Sequence, residues 1–394
     1  MKLSDIVEAR ERIQAHIRKT DITQMSLPGG ELYLKLENLQ ATGAYKVRGA
    51  FNCMLQLSEE QKHAGVIAAS AGNHAQGVAR AARELGVHCA IVMPAGAPLS
   101  KVAATKHYGA HVTLSGNGYD EAYAHALALS KGSGATFIHP FDDERVIAGQ
   151  GTIALEIIDA VNPAQIIVPI GGGGLAAGVA TAAKGINPQI RVIGVEPANA
   201  ASMKASIAAG RIITLISTNT IADGIAVKTP GDVTYPICRD LLDDIVTVGD
   251  DEIAQAILHL LEKGKIVSEG AGAAAIAAVL NKKIALTDDG PTVAILSGGN
   301  IDVNMISRII NKGLLRTGRM VSIHTLLSDK PGQLAMLLSI ISGTGANILT
   351  VQHDRISADM DITQSAVAVS VETRNNRHVF EIRSMLEDMG YRLL

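Results

Sequence analysis

The chain has few aromatic residues, few cysteines, no tryptophan and almost no excess of charge of either sign. Its 394 residues include 3% aromatics and carry a formal net charge of −3 at pH 7. Proteins that bind nucleic acid or an anionic membrane surface usually carry a basic patch, which this balance does not indicate. The sequence also lacks the run of about 18 apolar residues that a membrane-spanning helix needs. We therefore expect neither nucleic acid nor a membrane among its partners.

The three cysteines, Cys53, Cys89 and Cys238, stand far apart and form no CxxC pair and no Cys/His cluster. This spacing indicates buried, reduced thiols and no metal site. The first residues, MKLSDIVEARERIQ, are interrupted by charges before any apolar segment of useful length, so they do not resemble a secretory signal. We expect a cytoplasmic protein.

Small and aliphatic residues are abundant. Hydrophobic residues make up 47% of the chain, and 39 residues are glycine. Buried parallel strands are rich in aliphatic residues on both faces, so this composition is typical of an α/β protein. The length exceeds what one ordinary core holds and indicates two or three domains.

Short apolar runs, each ended by Gly or Pro, alternate with Ala-rich segments of helical character such as HAQGVARAAREL and GLAAGVATAAK. This alternation predicts βαβ units and a parallel sheet, with functional loops at the carboxyl ends of the strands. The runs are GVIAAS (65–70), CAIVMP (89–94), HVTLSG (111–116), TFIHP (136–140), IIVPIGGGG (166–174), VIGVEP (192–197) and VAILSGG (293–299).

The pattern changes near residue 313. GLLRTGRM (313–320) has the character of a linker, and the following 75 or so residues predict the order strand, helix, strand, strand, helix, strand. Without a helix between them, NILTVQHDR and QSAVAVSVET predict an antiparallel hairpin, and YRLL predicts a last strand. This βαββαβ order is that of a ferredoxin-like unit.

Two features of the larger part indicate chemistry. Lys46 lies between an aromatic and a valine in TGAYKVRGAF, where it is either an ordinary surface lysine or a desolvated amine that acts as a nucleophile or base. Gly171, Gly172, Gly173 and Gly174 follow an apolar run and precede a helix, where backbone N–H groups can hold a phosphate. The glycine run is otherwise only a tight turn, and it matches neither GxGxxG nor a P-loop.

The loop ASAGNHAQG (69–77) also follows an apolar run and opens a helix. Ser70, Gly72 and Asn73 offer hydroxyl, backbone and amide donors that suit a carboxylate, although Ser70 or Asn73 could simply cap the helix. We interpret His74 as a structural or supporting group rather than as a general base.

Ser297 ends a strand before two glycines, where it is either a turn residue or a donor to a ligand, and Glu269 in VSEGAGAAA suits the first turn of a helix. Each signal is weak by itself. A desolvated lysine, a glycine anion cradle, a carboxylate-binding loop and a strand-end serine together suit pyridoxal phosphate and an amino acid.

These motifs also carry a resemblance. KLENLQATGAYKVRGAF, SAGNHAQGVA, PIGGGGLAAG, TIADGIAV, SEGAGA and SGGN resemble, in order and spacing, the threonine/serine dehydratases of the tryptophan-synthase-β-like class of pyridoxal-phosphate enzymes. DKPGQL and GANI resemble an ACT domain. The resemblance implies a catalytic domain at 1–315 made of two-lobed open twisted parallel sheets, with a smaller lobe inserted at roughly 50–150. A linker at 316–319 and an ACT regulatory domain at 320–394 would follow.

The resemblance also implies roles for single residues. Lys46 would carry the cofactor as a Schiff base and then remove the substrate α-proton. Asn73 would bind the phenolic oxygen, the four glycines the phosphate, and Ser297 the pyridine nitrogen, while Tyr45 would lie near the ring. The substrate contacts would come from Ser70, Gly72 and His74.

The implied reaction is the conversion of L-threonine to 2-oxobutanoate and ammonia, with L-serine as a secondary substrate. Alternatives are a dehydratase that prefers L-serine or threo-3-hydroxyaspartate, a catalytically silent amino-acid sensor, and a dinucleotide-binding oxidoreductase. A serine racemase is disfavoured because Ala71 replaces the serine of the racemase SSGN motif. A Mg²⁺ site at Glu196 is disfavoured because Ser202 replaces an acidic residue six positions later. The family more often has Ser-Phe where this chain has Ala44 and Tyr45.

An ACT-like unit implies regulation. Its effector, an amino acid such as isoleucine or valine, would bind near the turn from Asp329 to Gly332 and the strand start at Asn347. Such sites often lie between two copies of the unit, so we expect a homodimer or homotetramer in which the effector shifts the catalytic equilibrium.

Overall fold

The structure, a computed structural model, describes residues 1–27, 29–356 and 361–394. The chain divides into two compact units, Met1–Asp302 and Val303–Leu394. Among the described residues, no helix has both the length and the apolar character that crossing a membrane would require.

The first unit is α/β and holds two sheets, as the alternating pattern predicts. Its strands in chain order are β1 (Ile22–Leu27), β2 (Gly30–Leu36), β3 (Val66–Ala69), β4 (Cys89–Met93), β5 (His111–Leu114), β6 (Thr136–Phe137), β7 (Gln165–Pro169), β8 (Arg191–Pro197), β9 (Asp244–Val248) and β10 (Thr292–Leu296).

The helices of this unit surround the sheets. They are α1 (Leu3–Ile13), α2 (Lys46–Met54), α3 (Glu59–Ala64), α4 (Asn73–Leu85), α5 (Leu99–His107), α6 (Tyr119–Ser133), α7 (Glu144–Val161), α8 (Gly174–Ile186), α9 (Ser202–Ala209), α10 (Thr234–Leu241), α11 (Asp250–His259) and α12 (Gly270–Leu280).

The larger sheet has the order β1-β2-β10-β7-β8-β9, and the smaller sheet has the order β5-β4-β3-β6. All neighbours pair in parallel except β1 and β2, which pair antiparallel from Ile22↔Lys35 to Leu27↔Gly30. The short connection between β1 and β2 requires this, because a parallel pair needs a crossover of a dozen or more residues. The apolar runs did not predict β1, β2 or β9. The parallel sheets were predicted correctly, and the antiparallel edge is the difference.

Burial explains why the sequences of the central strands are continuous apolar runs. Every residue of β7 and of β10 is buried, since helices cover both faces of the sheet. The helix α7 starts at the N-cap Asp143, whose carboxylate accepts from the Arg145 N–H at 2.8 Å, and it packs against α8. The three cysteines lie in this interior as free, buried thiols.

The second unit begins with a helix, followed by strands and helices in the predicted order: α13 (Val303–Arg316), β11 (Met320–Ser328), α14 (Gln333–Gly343), β12 (Asn347–Asp354), β13 (Gln364–Glu372) and α15 (Asn376–Asp388). Its antiparallel sheet has the order β11-β13-β12. The hairpin of β12 and β13 matches the prediction, and the segment 357–360 between them lies outside the described residues.

Two details differ from the expectation. Instead of a last strand, YRLL forms a single bridge, Thr325↔Leu393, because Gly390 and Tyr391 still belong to the turn that ends α15. The boundary between the units lies at 302–303 rather than at 315, since α13 packs with β11 in the second unit. The expected linker at 316–319 therefore falls mostly on the turn between α13 and β11.

Candidate active site

A cavity of about 910 Å³ is lined by loops that follow strands of both sheets. Residues 70–74 follow β3, residues 139–142 follow β6, and Ser297 follows β10. The carboxyl ends of parallel strands are the usual place for a ligand in open α/β sheets. The position of the cavity therefore agrees with the sequence-based expectation.

Lys46 is the first residue of α2 and borders this cavity. Its Nζ donates to the Pro140 carbonyl at 2.9 Å and lies 5.3 Å from the centre of the Tyr45 ring. Burial lowers the pKa of Lys46 to about 8, although the negative charge of Glu269 acts in the opposite direction. A substantial fraction of this amine is therefore neutral near physiological pH and can attack a carbonyl carbon.

The glycine loop connects β7 to α8 and has no room for side chains. A methyl group on Gly172 would overlap the Phe141 ring, and one on Gly174 would lie 2.8 Å from the Phe141 carbonyl. Gly173 has φ of +98°, which side chains rarely adopt, and its added methyl would lie 2.7 Å from Met203. Backbone N–H groups at this helix start can therefore approach an anion directly.

The loop before α4 lies against the same cavity. Ser70 accepts from the Gly72 N–H at 3.2 Å, and both residues line the cavity. At the start of α4, Asn73 donates from Nδ2 to Glu269 at 2.6 Å and accepts at Oδ1 from Asn300 at 2.8 Å. The loop thus brings a hydroxyl, backbone N–H groups and an amide to one wall.

Glu269 precedes α12 but makes no capping bond to that helix with its side chain. Instead its buried carboxylate faces Asn73, and burial together with the nearby charge of Asp223 raises the pKa of Glu269 to about 7. The sequence suggested only a favourable helix-start position for this residue. Its place in the cavity wall is decided by a contact across 196 positions of the chain.

His74 is almost fully buried behind the loop. Its Nε2 lies 2.9 Å from the Ile138 carbonyl, and because a carbonyl can only accept, Nε2 carries the proton. Burial, with Lys46 nearby, lowers the pKa of His74 to about 3, so the ring stays neutral. This agrees with a supporting role rather than that of a general base.

Ser297 and Tyr45 are joined through the backbone. The Tyr45 N–H donates to the Ser297 carbonyl at 3.1 Å, and Ala44 forms a bridge with Gly298. Tyr45 is buried, and this burial raises the pKa of its phenol. The strand-end serine and the residue before Lys46 are therefore held side by side.

The sequence did not predict the contribution of the loop 138–143, IHPFDD. Its Pro140 carbonyl holds Lys46, its Ile138 carbonyl holds His74, and its Phe141 ring lies against Gly172. The only signal was that this loop follows a predicted strand, TFIHP, and should therefore lie at the functional edge of the sheet.

The same loop places a second neutral imidazole in the cavity wall. Nδ1 of His139 accepts from the Phe141 N–H at 3.2 Å and from the Asp142 N–H at 2.7 Å, so its proton is on Nε2. Burial lowers the pKa of His139 to about 4. Asp142 accepts from the Val233 and Thr234 N–H groups at 2.9 and 3.1 Å and so fixes the start of α10.

Glu196 has a structural use here. Its two carboxylate oxygens accept from the Met203 and Lys204 N–H groups at 2.8 and 2.9 Å at the start of α9. Among the residues that the structure describes, no group of three His, Cys, Asp or Glu side chains could hold a metal ion.

The surroundings of Lys46 suit a phosphorylated carbonyl compound. The polar donors line the large cavity, the glycine loop lines a small pocket, and the partly neutral amine of Lys46 borders both. The family model for pyridoxal-phosphate dependent enzymes matches residues 13–298. An L-threonine ammonia-lyase of Thermotoga maritima is 50% identical over 395 residues, covering 99% of this chain and 98% of that protein.

Solved structures give the same family. Maize serine racemase aligns with a TM-score of 0.74 and 39% identity, covering 80% of this chain and 98% of that one. The processed form of threonine deaminase isoform 2 from Solanum lycopersicum aligns with a TM-score of 0.74 and 39% identity, covering 78% of this chain and 86% of that one. The chain therefore belongs to the family of pyridoxal-phosphate dependent enzymes, as its lysine and glycine motifs predicted.

Proposed function

We propose that this chain is an L-threonine ammonia-lyase, which converts L-threonine to 2-oxobutanoate and ammonia and accepts L-serine as a secondary substrate. The proposal is supported by the 50% identity to a protein of that name over nearly the whole chain. The observation that carries it is the buried Lys46 amine, with its lowered pKa, in a cavity that the carboxylate-binding loop and the strand-end serine also line.

The residues around Lys46 fit pyridoxal phosphate, since the glycine loop leaves a cradle that any side chain would fill. We assign the phosphate to the backbone N–H groups of 171–174, the phenolic oxygen to Asn73 and the pyridine nitrogen to the Ser297 hydroxyl. When bound, the cofactor supplies an electron-withdrawing ring that stabilises negative charge at the substrate α-carbon. A neutral hydroxyl at the pyridine nitrogen favours elimination, because it does not hold that nitrogen protonated as an aspartate would.

Lys46 then acts as the base. Its Nζ would take the α-proton of the substrate, and a pKa of about 8 suits a base that works near neutral pH. The loop of Ser70 and Gly72 binds the substrate carboxylate, with His74 supporting it from behind. In the overall reaction, the α-proton and the β-hydroxyl would leave the substrate as one water molecule, and hydrolysis of the resulting enamine would give the 2-oxo acid and ammonia.

An absorbance scan of the purified protein, before and after addition of L-threonine, tests the assignment of Lys46. We expect a visible cofactor band that changes on addition, with 2-oxo acid and ammonia appearing, and we expect Lys46→Ala to abolish both. Lys101→Ala and Lys228→Ala are matched controls, since both lysines line the cavity in exposed ion pairs. A Lys46→Ala protein that kept the covalent band would refute the assignment.

Because the chain is similar to a serine racemase, racemisation of serine has to be distinguished from elimination. Ala71 lines the cavity where a racemase would need a proton-carrying side chain on the second face of the substrate. We therefore expect L-serine to give pyruvate and ammonia with no D-serine, measured by chiral chromatography. Comparing kcat/KM for L-threonine, L-serine and threo-3-hydroxyaspartate gives the substrate preference. L-Threonine and L-serine differ by one methyl group, which changes the transition-state binding energy by about 1–3 kcal/mol.

We also propose that residues 320–394 form an ACT-like regulatory domain that binds an amino-acid effector near Asp329, Gly332 and Asn347. Asp329 follows β11 and pairs with Arg355 at 3.0 Å, Gly332 precedes α14 with φ of +89°, and Asn347 begins β12. These features place a polar turn beside a helix start.

Kinetic titration with isoleucine and valine tests the regulatory proposal. We expect an amino acid to change the activity of the full chain, and Gly332→Val to remove that change without affecting basal activity. Arg377→Ala, which breaks only an exposed ion pair with Glu381, should leave the response intact. A chain ended at Asp302 that responded identically would contradict the proposal. Analytical ultracentrifugation tests the homodimer or homotetramer that we propose with it.

A further inference from the structure

A continuous chain of hydrogen bonds passes through Asn73. Asn300 donates from Nδ2 to the Thr42 carbonyl at 2.8 Å and also to Asn73 Oδ1 at 2.8 Å. Asn73 in turn donates from Nδ2 to Glu269 Oε1 at 2.6 Å. The four residues come from the turn before Lys46, the start of α4, the start of α12 and the segment after β10.

The two ends of this chain determine the direction of every amide within it. The Thr42 carbonyl can only accept, so the Asn300 atom that faces it must be the NH₂ group. The second hydrogen of that NH₂ group requires an oxygen opposite, which fixes Oδ1 of Asn73. The NH₂ group of Asn73 is thereby turned to Glu269, whose carboxylate accepts. The Thr42 carbonyl, which can only accept, sets this orientation without any need to distinguish O from N within the amides.

Packing leaves little room for another arrangement. A methyl group added to Gly43 would overlap Asn300 Oδ1, and one added to Gly298 would overlap Glu269 Oε1. Backbone therefore packs closely against both groups that bond to the Asn73 amide, which are Asn300 and Glu269. Asn73 Nδ2 uses one hydrogen for Glu269 and retains a second N–H, since an amide nitrogen carries two.

We propose that Asn300 and Glu269 are positioning residues that hold the Asn73 amide with its second N–H, rather than its carbonyl, toward the phenolic oxygen of pyridoxal phosphate. This inference rests on the proposed function, in which Asn73 binds that oxygen. The reversed amide would place a carbonyl oxygen against the phenolic oxygen and lose the hydrogen bond. Asn300 thus acts on the cofactor through Asn73 without touching it.

The test uses holoenzyme carrying Asn300→Ala. We expect the near-ultraviolet and visible bands of the bound cofactor to change in relative intensity and in their pH dependence, because the phenolic oxygen loses a fixed donor. We also expect cofactor affinity, measured by equilibrium dialysis, to fall about tenfold, as for one hydrogen bond to a charged group. Glu269→Ala removes the other partner of the Asn73 amide, the acceptor of its Nδ2 group. It should change the relative intensity of the cofactor bands in the same direction as Asn300→Ala.

Asn38→Ala is the matched control. Asn38 donates from Nδ2 to the Val267 carbonyl at 3.0 Å in the same region, and it lies outside the chain of bonds that includes Asn73. It should lose comparable stability in a thermal unfolding scan and keep the wild-type bands. If Asn300→Ala and Glu269→Ala both showed wild-type bands and affinity, the positioning role would be refuted. Failure of the proposed function is a different result, since the wild-type protein itself would then show no covalent cofactor band.

Discussion

A cluster of four buried charged side chains includes Arg48, which lies on the helix that begins at Lys46. Arg48, on the helix that Lys46 begins, is fully buried and bonds to both oxygens of Glu37 at 2.7 and 2.8 Å. It also bonds to Glu156 at 2.7 and 3.0 Å, and Lys35 reaches Glu156 at 2.6 Å. Two cations and two carboxylates thus balance each other in the interior. We expect this cluster to hold α2, and therefore Lys46, in place.

Arg48→Met removes one cation and leaves Glu37 and Glu156 with Lys35 alone. Breaking a buried, hydrogen-bonded ion pair from one side costs about 3–5 kcal/mol, because the partner charge stays buried without compensation. The matched control is Arg10→Met, which breaks an exposed pair with Asp159 at 3.0 Å and should cost at most about 1 kcal/mol. The free energy of unfolding is measured in urea by circular dichroism at neutral pH.

The pH dependence checks the cause. Burial alone would raise the pKa of Glu37, but the charge and hydrogen bonds of Arg48 outweigh burial and lower it. A carboxyl group whose pKa is lowered in the folded state stabilises the fold above its unfolded pKa, and this contribution is lost as pH falls through the folded pKa. Without Arg48, burial raises the pKa of Glu37. In acid, protonation of Glu37 therefore removes the uncompensated buried charge of the variant. The difference in the free energy of unfolding between the wild type and Arg48→Met should therefore become smaller as pH falls. A cost no larger than that of Arg10→Met, or a gap independent of pH, would show that the reasoning is wrong.

Other consequences follow from the cavity wall. The rate at which apoenzyme incorporates pyridoxal phosphate should rise with pH through about 8, because only the neutral Lys46 amine attacks the aldehyde. Glu269→Gln should move this midpoint to lower pH, since the negative charge of Glu269 raises the pKa of Lys46. Stopped-flow absorbance gives the rate against pH for both proteins. An unchanged midpoint would show that the charge of Glu269 does not act on Lys46. Gly173→Ala should weaken cofactor binding at least tenfold in equilibrium dialysis, because φ of +98° and the contact with Met203 exclude a methyl group. Gly132→Ala, in open space on α6, is its control, and equal affinity of the two variants would count against the cradle.

The sequence was sufficient for the local features of this protein. Apolar runs bounded by Gly or Pro predicted most strands of both parallel sheets, because strands covered on both faces have no polar side to interrupt the run. The glycine run predicted an anion cradle, since a close approach of backbone to ligand requires the absence of side chains. The strands β1, β2 and β9, whose residues differ in exposure, were not predicted because no continuous apolar run marks them.

Tertiary structure alone decided which groups meet around the lysine. Lys46 is held by the Pro140 carbonyl, 94 positions away, and Asn73 by Glu269 and Asn300, 196 and 227 positions away. Periodicity reports which face of an element is buried, but it carries no information on which distant polar group will lie opposite. The sequence by itself therefore determined most of the strand pattern, and it singled out the glycine loop and Lys46 as candidates for cofactor binding. The lowered pKa of that lysine and the direction of the Asn73 amide depend on burial and on partners that only the folded chain brings together.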